Sequence, residues 1–454
     1  MIYLWMNPKC AGKLPPGSSG FPFIGETLQL FIPSYSPDVH PFLKKKIQRY
    51  GLLFRTNVVG HNVVVSADQE LNRYIFQQEE KLVVHWYLDL FAKVFEHGEF
   101  RPDGLTIHKY TRNLVLNHFG SESIRQKLLT EFEEIARKHI HSWSMQDSIE
   151  VERASIAMFA ELCGKHLYTH GGESSEDFAD LFINLSRAAM SFPLNIPGTT
   201  FHKCLKVKEE ALDTVRKIVI ERIASPPNNH GDVLDEMVND MKTNKFLTPQ
   251  YISQFLFSMS FATFQTISGM LTHVVNFVAQ NPAVLRELIA EHEEILSRRE
   301  NSNSPITWEE YKSMTFTLQV VNETLRLGNT IPGFLRRAVK DIQYNGYTIP
   351  AGWGIMVCQS TMHLDPNIYK DPLKFDPWRW TDVGPEFISK NLKPFGGGIK
   401  QCAGADLVRA SITIFLHILV TKYRWAIVKG GVIVQNPIRH FKDGLHISVF
   451  QRQN

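Results

Sequence analysis

Residues 393–404 read Lys-Pro-Phe-Gly-Gly-Gly-Ile-Lys-Gln-Cys-Ala-Gly and lead directly into a segment with helical spacing of apolar residues, from about Ala405 to Tyr423. The three successive glycines, 396–398, permit a tight backbone loop that side chains would block. Cys402 then lies at the start of the predicted helix, where free N–H groups and the helix dipole favour a thiolate over a thiol. The stretch therefore indicates a cysteine with unusual chemistry.

The chemistry of Cys402 alone leaves more than one interpretation open. The stretch is compatible with a structural cysteine behind a glycine-rich turn. It is also compatible with an electron-rich thiolate ligand of the kind that a haem iron uses to cleave the O–O bond. A glycine-rich loop before a helix can cradle phosphate, but this one lacks the spacing of a P-loop.

Composition points to one large globular unit. The chain has 454 residues, of which 43% are hydrophobic and 21% charged, and its net charge of +3 gives no argument for nucleic-acid binding. Its five cysteines are far apart and form no CxxC pair, which disfavours a disulfide framework or a closed zinc site. No internal repeat or shift of composition marks a domain boundary.

Periodicity predicts a mainly α domain with small β-sheets. Residues 51–67 alternate and break at Gly60, and residues 341–350 turn at Asn345-Gly346, so each stretch predicts a β-hairpin. Thr248 is a good N-cap before Pro249, and no further proline occurs until Pro282. The helix between them would have about 32 residues and a length of roughly 48 Å, and its apolar middle predicts burial.

The pattern Phe395-x-x-Gly398-x-Lys400-x-Cys402-x-Gly404 resembles the haem-binding signature of the cytochrome P450 family, which usually carries arginine where this chain has Lys400. The resemblance implies that Cys402 is the axial ligand of the haem iron. His108-x-x-x-Arg112 resembles the haem-contacting helix of the family. The residues that the resemblance assigns to haem contact are His108, Arg112, Ala262, Arg336, Pro394, Phe395, Gly396, Lys400, Cys402 and Gly404.

A second family feature supports the cysteine loop. Glu323 and Arg326 stand at i,i+3 on a helix that the Thr307–Glu310 capping box is predicted to open. Arg379 follows in a Phe-x-Pro-x-Arg segment. The resemblance implies a buried Glu323–Arg326–Arg379 network that holds the cysteine loop, and such a charge cluster must be fully paired.

The middle of the long helix resembles the family's oxygen-activation motif. Thr266 matches the threonine that supports proton delivery. Thr263 replaces the usual glycine, and Gln265 replaces the usual acid, which glutamine cannot substitute for as a titrating group. The catalytic residues implied are thus Thr266 and Gln265, with proton supply altered at Gln265.

Together these motifs imply a single-domain cytochrome P450 fold, a triangular prism of helices around a buried haem with a long central distal helix. The implied activity is oxygen insertion from O2 with electrons from an NADPH-dependent reductase, which would dock on the cysteine side near Lys393 and Lys400. Residues 21–29, 192–206 and 306–328 are similar to a plant branch that oxidises sterols, brassinosteroids and triterpenes. The expected substrate is an apolar triterpenoid or sterol. The pocket residues expected are Trp86, Phe261, Ile331, Phe334 and Leu445.

The N-terminus carries the short apolar run Ile2–Met6, which is too short to span a membrane. It fits either the end of a trimmed anchor or simply the start of the chain. With the resemblance, residues 1–13 are expected to be an anchor remnant and residues 14–454 the catalytic domain. The expected protein is a monomer on the cytosolic face of the endoplasmic reticulum membrane.

Two other functions fit the same motifs. A haem-thiolate isomerase or dehydratase would rearrange a hydroperoxide without a reductase, and Gln265 favours it slightly while Thr266 opposes it. A non-catalytic sterol or haem carrier would keep the fold alone. NADPH dependence separates the first from a monooxygenase, and a carbon monoxide difference spectrum tests the second.

Overall fold

A computed structural model describes residues 10–88, 92, 104–169, 180–185, 191, 194–225, 230–301, 304–328, 331, 333–436 and 438–452. Within them the helices are α1 Thr27–Leu30, α2 Pro41–Tyr50, α3 Gln69–Gln77, α4 Gly104–Phe119, α5 Ser121–Ser123, α6 Leu129–Ser144, α7 Val151–Leu167, α8 Thr200–Ala224, α9 Val233–Asp240, α10 Pro249–Gln280, α11 Pro282–Ser297, α12 Trp308–Ser313, α13 Thr315–Gly328, α14 Gln359–His363, α15 Pro385–Asn391 and α16 Ala405–Lys422. A π-helical turn, Ile124–Leu128, joins α5 to α6, and short 3-10 turns cover Pro377–Trp380 and Gly398–Lys400.

The strands are short and form four small sheets. They are β1 Leu53–Val58, β2 His61–Ser66, β3 Val83–His85, β4 Ile149–Glu150, β5 Phe334–Ala338, β6 Ile342–Tyr344, β7 Tyr347–Ile349, β8 Gly354–Val357, β9 Tyr423–Gly430, β10 Ile433–Gln435, β11 Arg439–Phe441 and β12 Leu445–Gln451. The largest sheet has the order β1-β2-β8-β5-β3, and the others are β4-β12-β9, β10-β11 and β6-β7. A mainly α domain with small sheets was predicted and is confirmed.

Both predicted hairpins are present. Strands β1 and β2 pair antiparallel from Leu53–Ser66 to Val58–His61. Strands β6 and β7 pair across Asn345 and Gly346, which have φ values of 49° and 75°. Two consecutive left-handed residues make the tight turn that an Asn-Gly pair favours.

The long predicted helix is α10, which begins at Pro249 and ends at Gln280. The Thr248 hydroxyl accepts a hydrogen bond from Tyr251 N, as expected of an N-cap. Most of its side chains are buried, and it packs against α7, α8, α13 and α16. It therefore forms the centre of the main hydrophobic core.

The helix that bears Glu323 does not begin where the sequence predicted. The Thr307–Glu310 capping box is formed, but it opens the separate helix α12, which ends at Ser313. Met314 leaves the helical region at ψ 62°. Helix α13 then begins at Thr315, and the Glu291 carboxylate accepts hydrogen bonds from Phe316 N and Thr317 N. A partner from α11 thus satisfies the free N–H groups of a new helix start.

No helix among the described residues is long and apolar enough to cross a membrane. The predicted anchor remnant, residues 1–13, lies mostly outside the described residues, which begin at Cys10. Near the N-terminus, large apolar side chains are exposed at Phe21, Ile24, Leu28 and Ile32.

Candidate functional site

The cysteine loop is held by backbone hydrogen bonds before α16 begins. Cys402 N donates to Phe395 O over 3.0 Å, and Gly396 N donates to Lys393 O over 3.2 Å. Gly396 and Gly398 have φ values of 73° and 72°, a region that glycine enters without steric cost. The loop is consequently a folded turn that presents Cys402 before α16.

Glu79, at the end of α3, fastens this loop from the side. Its Oε2 accepts from Lys400 N over 2.9 Å, while its Oε1 accepts from Arg336 Nε over 2.7 Å. A Cβ at residue 398 would lie 2.5 Å from Glu79 Oε2. Gly398 is therefore required by the close approach of Glu79 as well as by its φ. Sequence reasoning missed Glu79, since no local pattern marks it.

The cations expected to contact haem propionates have protein partners. Arg336 is buried against Glu79, and Lys400 Nζ lies 3.3 Å from Glu80 Oε1. Arg112 Nη1 donates to Gln401 O over 2.5 Å. Arg336 and Lys400 thus reach the cysteine loop already paired, and their roles as propionate ligands stay predictions.

The expected charge network is formed, with Glu323 and Arg326 fully buried and Arg379 half-buried. Arg326 Nε and Nη2 donate to the two oxygens of Glu323 over 2.9 and 2.7 Å, and Arg379 Nε donates to Glu323 Oε1 over 3.0 Å. Trp380 Nε1 supplies a further donor to Glu323 Oε2 over 3.0 Å. Each charge is compensated by several hydrogen bonds, which is the condition for burying such a cluster.

His363 links the network to the cysteine loop, and sequence reasoning missed it. Arg326 Nη1 donates to His363 O over 2.8 Å, and His363 Nε2 accepts from Lys393 N over 3.0 Å. Burial lowers the pKa of His363 to about 3, with Arg326 adding to the effect. The ring is therefore neutral near pH 7, as an acceptor at Nε2 must be.

The Cys402 thiol does not have the lowered pKa that its place before a helix predicted. Desolvation raises the pKa of Cys402 above its ordinary value, and this outweighs the opposing effects of the Gly404 N–H and Arg112. The prediction considered the helix dipole and neglected burial. Cys402 is nevertheless exposed. The Cys402 side chain is thus accessible to a ligand although protein atoms largely surround it.

His85 and His108 border the same charged region. The pKa of His85 is lowered to about 3 by desolvation and then by Arg336, Lys400 and His108. The pKa of His108 is lowered to about 4 by desolvation and then by Lys400 and Arg112. The mutual influence of these five residues shows that they lie close together. Three of them are cations, of which Arg336 and Lys400 are already paired with Glu79 and Glu80. Such a cluster suits an anionic ligand.

Helix α10, which is the predicted distal helix, exposes small and hydroxyl-bearing residues in its middle. Ala262 and Thr266 are exposed, whereas Phe261, Phe264 and Ile267 are buried. The Thr266 hydroxyl donates to Ala262 O over 2.6 Å. Residues four apart share one face of a helix, so a single strip of α10 faces open space within the core.

The Gln265 side chain does not lie on this strip but contacts helix α7. Its Nε2 donates to Glu152 Oε1 over 2.8 Å, which connects α10 to the first turn of α7. Glu152 gave no signal in the sequence, because its relation to Gln265 depends on how two distant helices pack.

The five predicted pocket residues are not placed alike. Ile331 is exposed, and Phe334 is half-buried with its ring 5.9 Å from that of Phe76. Phe261 is buried, with its ring 6.3 Å from that of Phe182. The structure packs Trp86 against His61 and under the Arg337 guanidinium, and it buries Leu445 completely. Trp86 and Leu445 are thus packed in the protein interior, and the role of all five residues as pocket walls stays a prediction.

The described residues fit a haem. The exposed yet desolvated thiol of Cys402 offers one soft ligand, and the cluster of Arg112, Lys400 and Arg336 with two histidines suits the propionates of the macrocycle. No group of three or more His, Cys, Asp or Glu in the described ranges is placed to bind a metal ion by itself. A single protein ligand is what a haem-thiolate centre takes from its protein.

Comparison with known proteins agrees with this site. A sequence model of the cytochrome P450 family matches residues 15–446. A beta-amyrin 16-alpha-hydroxylase of Maesa lanceolata is 46% identical over 454 residues, covering 99% of this chain and 96% of that protein. A cucurbitadienol 11-hydroxylase of Siraitia grosvenorii is 47% identical, covering 98% of this chain and 95% of that protein.

More distant similarity extends to sterol hydroxylases and to a solved structure. A cholesterol 22-monohydroxylase of Paris polyphylla is 32% identical, covering 96% of this chain and 93% of that protein. The retinoic acid-bound cyanobacterial CYP120A1 superposes with a TM-score of 0.81 at 23% identity, covering 97% of this chain and all of that one. The structural match confirms the predicted fold.

Proposed function

The chain belongs to the cytochrome P450 family, and from that premise we propose that it hydroxylates a triterpenoid or sterol skeleton. It is a haem-dependent monooxygenase that receives electrons from NADPH through a reductase. The observation that supports the substrate class is identity of 46% and 47% to hydroxylases of beta-amyrin and cucurbitadienol over nearly the whole chain.

In this proposal the Cys402 thiolate would bind the haem iron, and the loop from Pro394 to Gly404 would help to hold the cofactor. When bound, a thiolate-ligated haem supplies the activation of dioxygen. Glu79 and His363 hold the loop in register through Lys400 N and Lys393 N. Arg112, His108 and His85 would meet the propionates, with Arg336 and Lys400 adding positive potential behind them.

On the distal helix, Thr266 is the proposed proton-handling group. Its hydroxyl is exposed on the same strip of α10 as Ala262, and it is held by Ala262 O over 2.6 Å. From that position it can accept a proton from one side and donate one to the other. The other residue of the strip, Ala262, has a small apolar side chain, which leaves room for an apolar substrate.

The reductase is proposed to dock on the side of the cysteine loop. Lys393 is half-buried, and its pKa is lowered by desolvation and then by the charge of the exposed Arg73 nearby. Lys400 was expected to contribute here, but its ammonium is paired with Glu80 and only 15% of its side chain is exposed. Arg73 and Lys393 therefore replace Lys400 in the proposed contact with an acidic partner.

We also propose that residues 1–13 end an N-terminal anchor and that the catalytic domain, residues 14–454, works as a monomer on the cytosolic face of the endoplasmic reticulum. The exposed apolar side chains of Phe21, Ile24 and Ile32 support contact of this segment with a lipid surface. Membrane fractionation of tagged protein, with size measurement in detergent, tests both points.

The test of the substrate class combines spectroscopy and product analysis. Haem-loaded protein should give the thiolate band in the reduced carbon monoxide spectrum and a spectral shift with beta-amyrin, cucurbitadienol or cholesterol. With reductase and NADPH, mass spectrometry should detect a product heavier by one oxygen atom. Product that forms without NADPH would favour the reductase-free isomerase, and the absence of any shift or product with all three compounds would overturn the proposed substrate class.

A further inference from the structure

Gln265 and Glu152 form a bridge between the distal helix and the protein surface. Gln265 Nε2 donates to Glu152 Oε1 over 2.8 Å, and both side chains are half-buried. Gln265 immediately precedes Thr266, which is exposed to the open space inside the core. The bridge thus begins near solvent and ends beside the residue proposed to handle protons.

The reaction requires protons at this place. One turnover consumes substrate, O2, two electrons and two protons, and it yields the hydroxylated substrate and one water. The electrons come from NADPH through the reductase, and both protons must enter the buried site from solvent. A titratable group that reaches both solvent and the site normally serves such transfers.

The distal helix contains no suitable group of its own. Among its 32 residues there is no Asp, Glu, Lys or Arg, and its titratable side chains are Tyr251 and His273. His273 is fully enclosed, and burial lowers its pKa to about 3. Gln265 has no titrating proton. A titratable side chain that carries protons to this site must therefore come from another element.

We propose that Glu152 is that carrier, held at the distal helix by Gln265. Its carboxylate takes a proton from solvent and releases it past Gln265 towards Thr266, and it is then ionised again. Glu152 touches neither substrate nor cofactor, so it is a positioning and supply residue that acts through Gln265. This inference rests on the proposed monooxygenase function.

The charges around Glu152 suit this role. Glu150 caps the start of α7, where its side chain accepts from Glu152 N and Arg153 N, and Arg153 Nη2 donates to Asp180 over 2.7 Å. Arg153 is thus engaged by a different carboxylate. From β12, His446 lies opposite Glu150 in the strand pairing.

The first test compares Glu152→Gln with Glu161→Gln, which makes the same chemical change on the same helix. Glu161 pairs with Lys138 and His139 instead of the distal helix. In E152Q, product per NADPH should fall about tenfold, with more hydrogen peroxide and a larger solvent isotope effect. E161Q should match the wild type. Equal coupling and isotope effects in all three proteins would overturn the proposal.

The second test moves the acid back to the distal helix. The double variant E152Q/Q265E keeps an amide–carboxylate hydrogen bond between the two positions and reverses its direction. Coupling should return to within about twofold of the wild type, since either position then offers a titratable carboxyl. Coupling as poor as in E152Q would show that a carboxyl in this pair is not what the reaction uses.

A third test measures the protonation of Glu152 without catalytic turnover. Infrared difference spectra between acidic and neutral pH should lack one protonated-carboxyl band in E152Q, whereas an unchanged set of bands would overturn proton uptake by Glu152. All variants should keep the wild-type carbon monoxide spectrum. If the wild type hydroxylates none of the triterpenoids or sterols, the substrate proposal fails, while the peroxide yields and infrared bands still decide the role of Glu152.

Discussion

Lys400 Nζ lies 3.3 Å from Glu80 Oε1, so the lysine that replaces the family's usual arginine is paired with a carboxylate of its own chain. Glu80 has a φ of 64°, an uncommon value for a residue with a side chain. Its neighbour Glu79 binds Lys400 N and Arg336. Two consecutive carboxylates therefore hold the cysteine loop, one through the backbone and one through the side chain.

The two carboxylates should differ greatly in importance. Glu79→Ala leaves Arg336 buried without a carboxylate partner, and breaking a buried ion pair in this way costs about 3–5 kcal/mol of the free energy of unfolding. Glu80→Ala removes a partly exposed pair and should cost no more than about 1 kcal/mol. Chemical denaturation measures both, and the carbon monoxide spectrum should shift from its thiolate band only in E79A. Similar losses in the two variants would contradict the role assigned to Glu79.

Cys402→Ala should abolish the thiolate band of the reduced carbon monoxide complex, because no other cysteine lies in the loop. The control is Cys10→Ala, which removes a half-buried thiol far along the chain from the loop. C10A should retain the full band. A thiolate band that survives in C402A would mean that another residue binds the iron.

Thr266→Ala should uncouple NADPH consumption from product about tenfold or more, because the hydroxyl exposed to the open strip is lost. Thr272→Ala is a matched control on the same helix. Its hydroxyl makes the same type of bond, to Ser268 O over 2.8 Å, but is fully buried. T272A should affect stability and leave coupling at the wild-type value. The ratio of product to hydrogen peroxide decides the matter, and equal ratios in T266A and wild type would refute the proton role.

Sequence predicted those features whose causes are local. The Asn345-Gly346 turn and the Thr248 cap depend on a few adjacent residues, and the structure has both. The start of α13 was missed because its cap, Glu291, comes from another helix. Glu79, His363 and Glu152 were missed for the same reason, since each acts through a contact far away in sequence.

The pKa of Cys402 could not be predicted from the sequence for a related reason. A helix start can be read from sequence, but desolvation depends on everything packed around the thiol, and here it dominates. The burial of Trp86 and Leu445 also depends on packing. Both are large apolar residues near predicted site segments, and only packing shows that they lie in the interior.

His363 should make the stability of the protein depend on pH. Its pKa is about 3 in the folded chain, below the ordinary value of about 6.5. The unfolded chain therefore binds a proton first as pH falls. As far as it depends on His363, the free energy of unfolding keeps its full value above pH 6.5. It falls as pH is lowered towards 3, by up to about 1.4 kcal/mol per pH unit. His363→Gln keeps an acceptor for Lys393 N and removes this titration. Its free energy of unfolding, measured between pH 7 and pH 4.5, should fall less steeply than that of the wild type, and parallel curves would show that His363 is not neutral in the folded protein.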